Sequence, residues 1–126
     1  IVLALSGAGI TESLAHLLSA GDPVFTYGIA SFLSANLINN IPMSVLFAFI
    51  LEGASQAALM PALYASVLGS NLCAVFTPAG ALAGLMWMGI LKKTEVSFSY
   101  LSFVKYGLLI ALPALAAGLF ILWCIV

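Results

Sequence analysis

The chain has 126 residues, of which 64% are hydrophobic and only 6% are charged, with three lysines or arginines and four acids. A soluble domain usually has about a quarter of its residues charged, so this composition excludes a charged, water-covered surface and indicates a membrane protein. Nucleic-acid binding needs a basic surface, which this chain lacks, and we expect no nucleic-acid partner.

The first element in chain order is the apolar segment 1–20, which we interpret as the end of a membrane span within a longer protein. It contains Glu12 and His16, which are four residues apart and therefore share one face of a helix. A carboxylate and an imidazole inside a span could carry a coupling proton. The alternative, which the position shortly before Asp22 favours, is a pair at the membrane interface.

The second element comprises residues 24–52. It lies in an uncharged stretch that runs from residue 23 to residue 51. This is long for one straight span, which needs about 20 residues. Its two apolar flanks have half-membrane length and surround the polar stretch NLINNIP. We predict a re-entrant helical hairpin that turns at Asn39 and Asn40. The returning helix is expected to begin at Pro42, because proline suits the first turn of a helix.

The third element, residues 56–91, is too short for two full spans, and the polar stretch SNLCAVFTPAG interrupts it. Gly69, Pro78 and Gly80 lie on either side of the expected break. We predict a discontinuous transmembrane helix that unwinds halfway and restarts at or after Pro78. Residues 100–126 are then predicted to form a terminal transmembrane helix.

Lysines mark the loop between the last two predicted elements, with Lys92 and Lys93 on one side and Lys105 on the other. Cytoplasmic loops carry an excess of lysine and arginine, so this loop is predicted to face the cytoplasm, where a soluble partner could reach it.

Uncharged polar side chains concentrate at the two interruptions. Irregular backbone at membrane depth is tolerated only where protein covers it or where it lines a cavity, so we expect the two breaks to meet. Half-helix ends can then direct backbone dipoles at a shared solute. The alternative is a non-transporting membrane scaffold subunit, in which such residues only join helices by hydrogen bonds. The candidate substrate-binding side chains are Asn36, Asn39, Asn40, Ser70, Asn71 and Thr77.

Three stretches, GITESLAHLL, LSANLINNIPMSVL and GSNLCAVFTPAGALAGLMW, are followed by a short charged loop and a last apolar segment. In this order they resemble the C-terminal part of ArsB-type arsenite efflux permeases. More broadly they resemble the ion transporter superfamily, which includes NhaD-type sodium/proton antiporters and dicarboxylate transporters. The resemblance implies an all-α membrane protein, here part of an inverted-repeat transporter whose N-terminal repeat is the missing partner. It implies that the solute-binding residues are those of a hairpin tip, Asn39, Asn40 and Pro42, and of an unwound loop, Ser70, Asn71, Thr77, Pro78 and Gly80.

The resemblance further implies proton-coupled efflux of arsenite or antimonite through the lipid bilayer of a bacterial or archaeal inner membrane. A separate cytosolic ATPase subunit is a further partner that it suggests, and homo-oligomerisation stays open. A sodium/proton antiporter or an organic-anion transporter of the same superfamily is the alternative.

The sequence contains no nucleophile constellation, metal-ligand cluster or phosphate loop, so we expect no enzyme activity, no cofactor and no metal. Cys73 could act as a thiol ligand for arsenic, although a single cysteine in an apolar segment more often serves packing.

Overall fold

A computed structural model describes residues 9–80, 82–94, 96 and 98–126. Within these residues the chain forms six α-helices and one 3-10 turn and contains no strand, which confirms the predicted all-α class. Residues 1–8 of the first predicted span lie outside the described residues. In chain order the elements are α1 Ile10–Ser19, α2 Pro23–Ile38, α3 Asn40–Glu52, α4 Gln56–Phe76, the 3-10 turn Pro78–Gly80, α5 Leu82–Lys93 and α6 Tyr100–Ile125.

Helix α2 has a well-defined start and a sharp end. The Asp22 carboxylate caps it by accepting hydrogen bonds from the amides of Val24 and Phe25, at 2.9 and 3.4 Å. The helix stops where Asn39 adopts φ 71° and ψ 157°, a positive-φ extended backbone that residues with a side chain rarely adopt. Helix α3 begins at once with Asn40, two residues before the expected start at Pro42.

Helix α4 differs from the prediction. It continues through Ser70 and Asn71 to Phe76, so the expectation that these two residues lie in an unwound loop is wrong. The reason is local, because the side chains of both residues donate to the Val67 carbonyl inside the helix, each at 2.9 Å. They satisfy their own polarity without unwinding the backbone. The break is confined to Thr77, whose φ of −133° and ψ of 148° are extended, and to the 3-10 turn.

Among the described helices, two are long and apolar enough to cross a membrane, α4 with 21 residues and α6 with 26 residues. Helices α2 and α3 are apolar but shorter, with 16 and 13 residues. At 1.5 Å per residue their lengths are roughly 24 and 20 Å, less than the ~30 Å of a hydrocarbon layer.

The helices pack around α2 and α4, which run parallel and form the most extensive interface. They approach closely at Gly69, where a Cβ atom would collide with the Gly28 carbonyl and the Ser31 hydroxyl. Farther along, the rings of Phe32 and Phe76 lie 5.3 Å apart. Small side chains on α4 allow this approach, and the buried ones recur every three or four residues, at Ala62, Ala65, Ser66, Gly69, Ser70 and Cys73.

Helix α6 runs antiparallel to both of these helices. Its C-terminal half lies on the start of α2, where the Trp123 indole donates to Asp22. Its N-terminal third lies on the end of α4, where Gly107 leaves no room for a Cβ atom beside the Val75 and Phe76 carbonyls. Because α2 and α4 start at the same side and run in parallel, both of their C-terminal ends lie at the opposite side of the bundle.

Candidate functional site

The two helix breaks are joined by a direct hydrogen bond. The Thr77 hydroxyl donates to the Asn36 side-chain oxygen, with 2.6 Å between Oγ1 and Oδ1, across 41 residues of sequence. Thr77 is the first residue after α4, and Asn36 lies in the last turn of α2. The parallel packing of the two helices therefore places a neutral donor and a neutral acceptor in contact where both helices end.

Gly80 completes the arrangement from the 3-10 turn. Its amide donates to Thr77 Oγ1 at 3.1 Å, so the Thr77 hydroxyl both donates and accepts. A Cβ atom at Gly80 would lie 2.6 Å from the Cys73 carbonyl oxygen and 3.1 Å from Asn36 Oδ1. Only a residue without a side chain fits between α4 and the Asn36 amide, which explains the glycine.

Cys73, near the end of α4, joins this helix to the 3-10 turn. Its thiol lies 2.8 Å from the Ser70 carbonyl oxygen and 3.3 Å from the Gly80 carbonyl oxygen, and its side chain is fully buried. Its contacts are those of a packing residue beside the site.

The Asn36 side chain is held on both sides. Its Nδ2 donates to the Phe32 carbonyl at 2.7 Å, one turn earlier in α2, while its Oδ1 accepts from Thr77. The side chain is half-buried. Its carbonyl oxygen is therefore directed at the break in α4.

The hairpin tip lies next to this contact in sequence. Asn39 and Asn40 are half-buried, whereas Pro42 is exposed. Asn39 does not use its side chain to cap α3. The tip therefore presents amide groups close in sequence to Asn36, at the end of the bundle where α2 stops.

The other predicted site residues lie apart from the Asn36–Thr77 contact. Ser70 is buried and lines a pocket of about 120 Å³ between α3 and α4, together with Met43 and Phe47. Asn71 is exposed on α4. Pro78 is buried at the start of the 3-10 turn and lies against Gly84 of α5.

Glu12 and His16 are not part of this site. Both side chains are exposed, and they line a cavity of about 510 Å³ with Tyr27 and Ala54 at the end of the bundle where α2 begins. The length of α2, roughly 24 Å for its 16 residues, separates this cavity from the helix breaks.

Sequence reasoning missed the glycines that make the helix contacts possible. Gly28 and Gly107 each take a close approach of a neighbouring helix, from Leu119 and from the Phe76 backbone. The available signal was the spacing of small residues, Gly28, Ser31 and Ala35 on α2 and Gly107 and Ala111 on α6, which is typical of close packing between membrane helices.

Backbone electrostatics at the site follow from the helix directions. A helix C-terminus carries a partial negative charge, and neither α2 nor α4 has a basic residue in its last turn. The partial negative charges of the two helix ends therefore reinforce each other where Asn36 meets Thr77. They favour a solute that donates hydrogen bonds or carries positive charge. Among the described residues no group of three His, Cys, Asp or Glu side chains could hold a metal ion.

These features define the class of protein. The chain is a helical membrane protein whose uncharged polar side chains meet where two parallel apolar helices end. All of its residues, 1–126, match the family model described as ArsB, arsenical pump membrane protein. The chain belongs to the ArsB family, whose members are transporters and not enzymes, and the predicted family is thereby confirmed.

Individual relatives agree with the family match. The chain is 30% identical over 124 residues to the arsenical pump membrane proteins of Yersinia enterocolitica and of Escherichia coli strain K12, covering 91% of this chain and 29% of each relative. It is also 30% identical over 118 residues to the putative arsenical pump membrane protein of Bacillus subtilis strain 168. The chain thus spans less than a third of the length of the curated relatives it matches. No solved structure matches it.

Proposed function

We propose that the complete protein is a secondary transporter that exports arsenite or antimonite across a prokaryotic inner membrane in exchange for protons, and that this chain supplies part of its solute site. The observation that carries the proposal is the contact of Asn36 with Thr77 where two helices end. The names of the relatives, arsenical pump membrane proteins, support the solute.

The proposed membrane arrangement assigns each helix a role. Helices α2 and α3 form a re-entrant hairpin, residues 24–52. Helix α4, the 3-10 turn and α5 form the discontinuous helix, residues 56–91, and α6 is the terminal span, residues 100–126. The N-terminal repeat of an inverted-repeat transporter supplies the other half of the site.

The contact between α4 and α6 indicates how deep in the membrane the break after α4 lies. The end of α4 lies on Gly107, which is roughly 24 Å along the helix from Trp123. Gly107 is only two residues from Lys105, at the end predicted to be cytoplasmic. The break would therefore open nearer to the cytoplasm than to the membrane midplane, on the side from which an exported solute enters.

The chemistry of the site suits a neutral oxyacid. Arsenous acid is an uncharged trihydroxide near neutral pH, so each of its O–H groups can donate to an amide oxygen or to a helix-end carbonyl. The described ends of α2 and α4 offer such acceptors and carry no charged side chain that would trap an ion. Because the same carbonyl ends also favour a cation, sodium/proton antiport is the second candidate.

Proton coupling is the part of the proposal that concerns Glu12 and His16. The exposure of both side chains supports the interfacial interpretation. Replacing each with glutamine in the complete protein decides the matter. Loss of the dependence of transport on a proton gradient would assign them a coupling role, whereas unchanged dependence would place coupling elsewhere in the protein.

The test of the transport function compares Thr77→Val with Thr77→Ser in the complete protein, expressed in cells that lack their own arsenite exporter. Valine keeps the shape of threonine but removes the hydroxyl, and we expect arsenite resistance to be lost. Serine keeps the hydroxyl and should retain resistance. If cells that express the wild-type protein gain sodium or lithium tolerance but no arsenite resistance, the protein is a sodium/proton antiporter. If the wild-type protein confers neither arsenite resistance nor sodium or lithium tolerance, and Thr77→Val only weakens its assembly, the scaffold alternative is correct.

Two further partners belong to the proposal, a second copy of the protein and a cytosolic ATPase subunit at the lysine-bearing loop. Co-purification of the complete protein from mild detergent tests both.

A further inference from the structure

A groove at the lysine-bearing end of the bundle contains one charged residue among uncharged ones. This cavity of about 360 Å³, which we call the Lys92 groove, is lined by Met88, Gly89, Lys92, Val96 and Phe98. Lys92 lies in the last turn of α5. A lysine in such a place lays its alkyl chain along apolar surface and keeps its ammonium group at the membrane surface. The groove therefore has a positively charged mouth.

The Lys92 groove adjoins a second cavity, an apolar slot between α5 and α6. Phe98 lines both cavities, and the slot, of about 160 Å³, is also lined by Trp87 of α5 and by Phe103 and Ile110 of α6. Ile110 is five residues beyond Lys105, which places it roughly 8 Å farther along α6 toward the membrane interior. The two cavities together lead from a positive charge at the surface to apolar side chains at the depth of the hydrocarbon.

Helix α5 leaves this path uncovered. None of its described residues is buried, and aromatic rings connect it to α6, with Trp87 and Phe103 at a centroid distance of 5.8 Å. The two helices are thus bridged by large side chains and leave space beside them. An apolar gap that stays empty loses dispersion contacts along its walls, so an apolar chain that enters this gap gains them.

The charge at this end of the chain favours an anionic occupant. Lys92, Lys93 and Lys105 lie here, and Glu95 is the single acid in residues 53–126. Clusters of lysine next to a membrane span attract anionic lipid headgroups. Charge and shape together therefore describe a molecule with an anionic head and an apolar tail.

From this arrangement we propose that the Lys92 groove and the apolar slot bind one anionic phospholipid, with its phosphate at the Lys92 ammonium group and one acyl chain along Phe98 into the slot. Val75 and Gly107 also line the slot, so the acyl chain connects α5 and α6 beside the end of α4. A free phosphate ion would contact the lysine and leave the slot empty, which is why we infer a lipid. The inference does not depend on which solute the complete protein transports.

The first experiment measures phosphatidylglycerol binding to the complete purified protein in mild detergent by native mass spectrometry, with phosphatidylcholine of the same acyl chains for comparison. The wild type should retain phosphatidylglycerol more tightly. Lys92→Gln should weaken phosphatidylglycerol binding about fivefold, the contribution of one lysine close to an anionic headgroup, and should leave phosphatidylcholine binding unchanged. Lipids bound elsewhere on the protein are common to all variants, so the difference between variants reports this site.

Lys93→Gln is the matched control for the charge. It removes the same charge from the neighbouring residue, which is not among those that line the Lys92 groove. Its effect should be less than about twofold, because solvent screens a charge that does not contact the phosphate. Equal losses in Lys92→Gln and Lys93→Gln would reveal only diffuse attraction between lysines and headgroups and would overturn the inference.

Gly89→Leu tests the groove without changing any charge. A Cβ atom at Gly89 meets nothing within 4 Å, so the leucine side chain enters the groove without displacing a neighbour, and leucine suits a helix better than glycine does. Retention of phosphatidylglycerol should be lost, while the melting temperature without added lipid should not fall. Gly89→Ala, with a single methyl group, should retain the lipid.

Two further outcomes would contradict the proposal. Unchanged phosphatidylglycerol retention in Gly89→Leu would mean that no lipid occupies the groove, as when another part of the complete protein covers it. Stabilisation of the wild type by inorganic phosphate as large as that by phosphatidylglycerol, measured as a shift in melting temperature, would assign the mouth of the groove to a free anion.

Discussion

The indole N–H of Trp123 donates to a carboxylate oxygen of Asp22, at 3.1 Å and across 101 residues of sequence. The other oxygen of the same carboxylate caps α2. One side chain thus starts a helix and also binds the last helix of the chain. The Trp123 ring adds aromatic contacts with Phe25 and Phe120, at centroid distances of 6.3 and 6.2 Å.

We predict that Asp22→Ala lowers stability more than Trp123→Phe does. Alanine removes both the cap, which contributes about 1 kcal/mol, and the acceptor for the indole. Phenylalanine removes only the indole donor and keeps an aromatic ring beside Phe25. Thermal unfolding of the complete protein in detergent measures both. The double variant should be no less stable than Asp22→Ala alone, and additive losses would show that the indole bond contributes nothing.

The crossing of α2 and α4 gives the second prediction. In Gly69→Ala the new methyl group collides with the Gly28 carbonyl and the Ser31 hydroxyl, and overpacking of this kind costs about 1–3 kcal/mol. The helices must separate, so the Asn36–Thr77 bond should weaken and transport should fall with stability. Gly89→Ala is the matched control.

Gly89 is also helical, but it has open space where a Cβ atom would stand. Alanine there should be neutral or should stabilise by roughly 0.5–1 kcal/mol, because glycine is unfavourable inside a helix. Melting temperatures of the two variants provide the measurement. A Gly69→Ala protein as stable as Gly89→Ala would mean that the crossing is looser than described.

Cysteine accessibility gives the third prediction. Cys73 is fully buried, and Cys124 is exposed. A membrane-permeant maleimide should therefore modify Cys124 in the folded chain, and Cys73 only after denaturation. Mass spectrometry of the digested protein measures the two sites separately. Cys124→Ser provides the control, and rapid labelling of Cys73 in that variant would contradict its burial.

The aromatic cluster at the lysine-bearing end gives the fourth prediction. Trp87 of α5 makes edge-on contacts with Phe98 and Phe103, at 5.5 and 5.8 Å, and such pairs contribute about 0.5–1.5 kcal/mol each beyond the area they bury. Trp87→Ala should loosen the loop between α5 and α6 and speed its cleavage by an added protease. Met86→Ala, on the exposed side of α5, should leave cleavage unchanged, and equal rates in both variants would exclude a role for the cluster.

Some of this fold could be predicted from residue types alone. Asparagine at Asn39, and threonine and proline at Thr77 and Pro78, are poor helix-interior residues, and α2 and α4 end at these places. Ser70 was also predicted to lie in a helix break, because it is polar and lies within an apolar segment, yet it is helical. The difference lies in the local bond of its side chain to the helix backbone, which composition cannot reveal.

The hydrogen bond between Asn36 and Thr77 depends on how α2 and α4 are aligned along their length. Nothing in the sequence distinguishes Asn36 from Asn71 as the partner of Thr77, because both are asparagines near the end of an apolar helix. Parallel packing of α2 on α4, set by the contact at Gly69, brings Asn36 to Thr77 and leaves Asn71 exposed. A long-range contact of this kind needs the three-dimensional crossing.

The bond between Asp22 and Trp123 constrains the order of assembly during synthesis. Helix α2 is made early, but the tryptophan that its capping carboxylate binds is made 101 residues later. Leu119, which covers Gly28, is also made only with the last helix. The insertion machinery must therefore hold the early helices with one flank uncovered until α6 arrives. Ribosome stalling or truncation before residue 119 would leave that flank open to quality-control proteases.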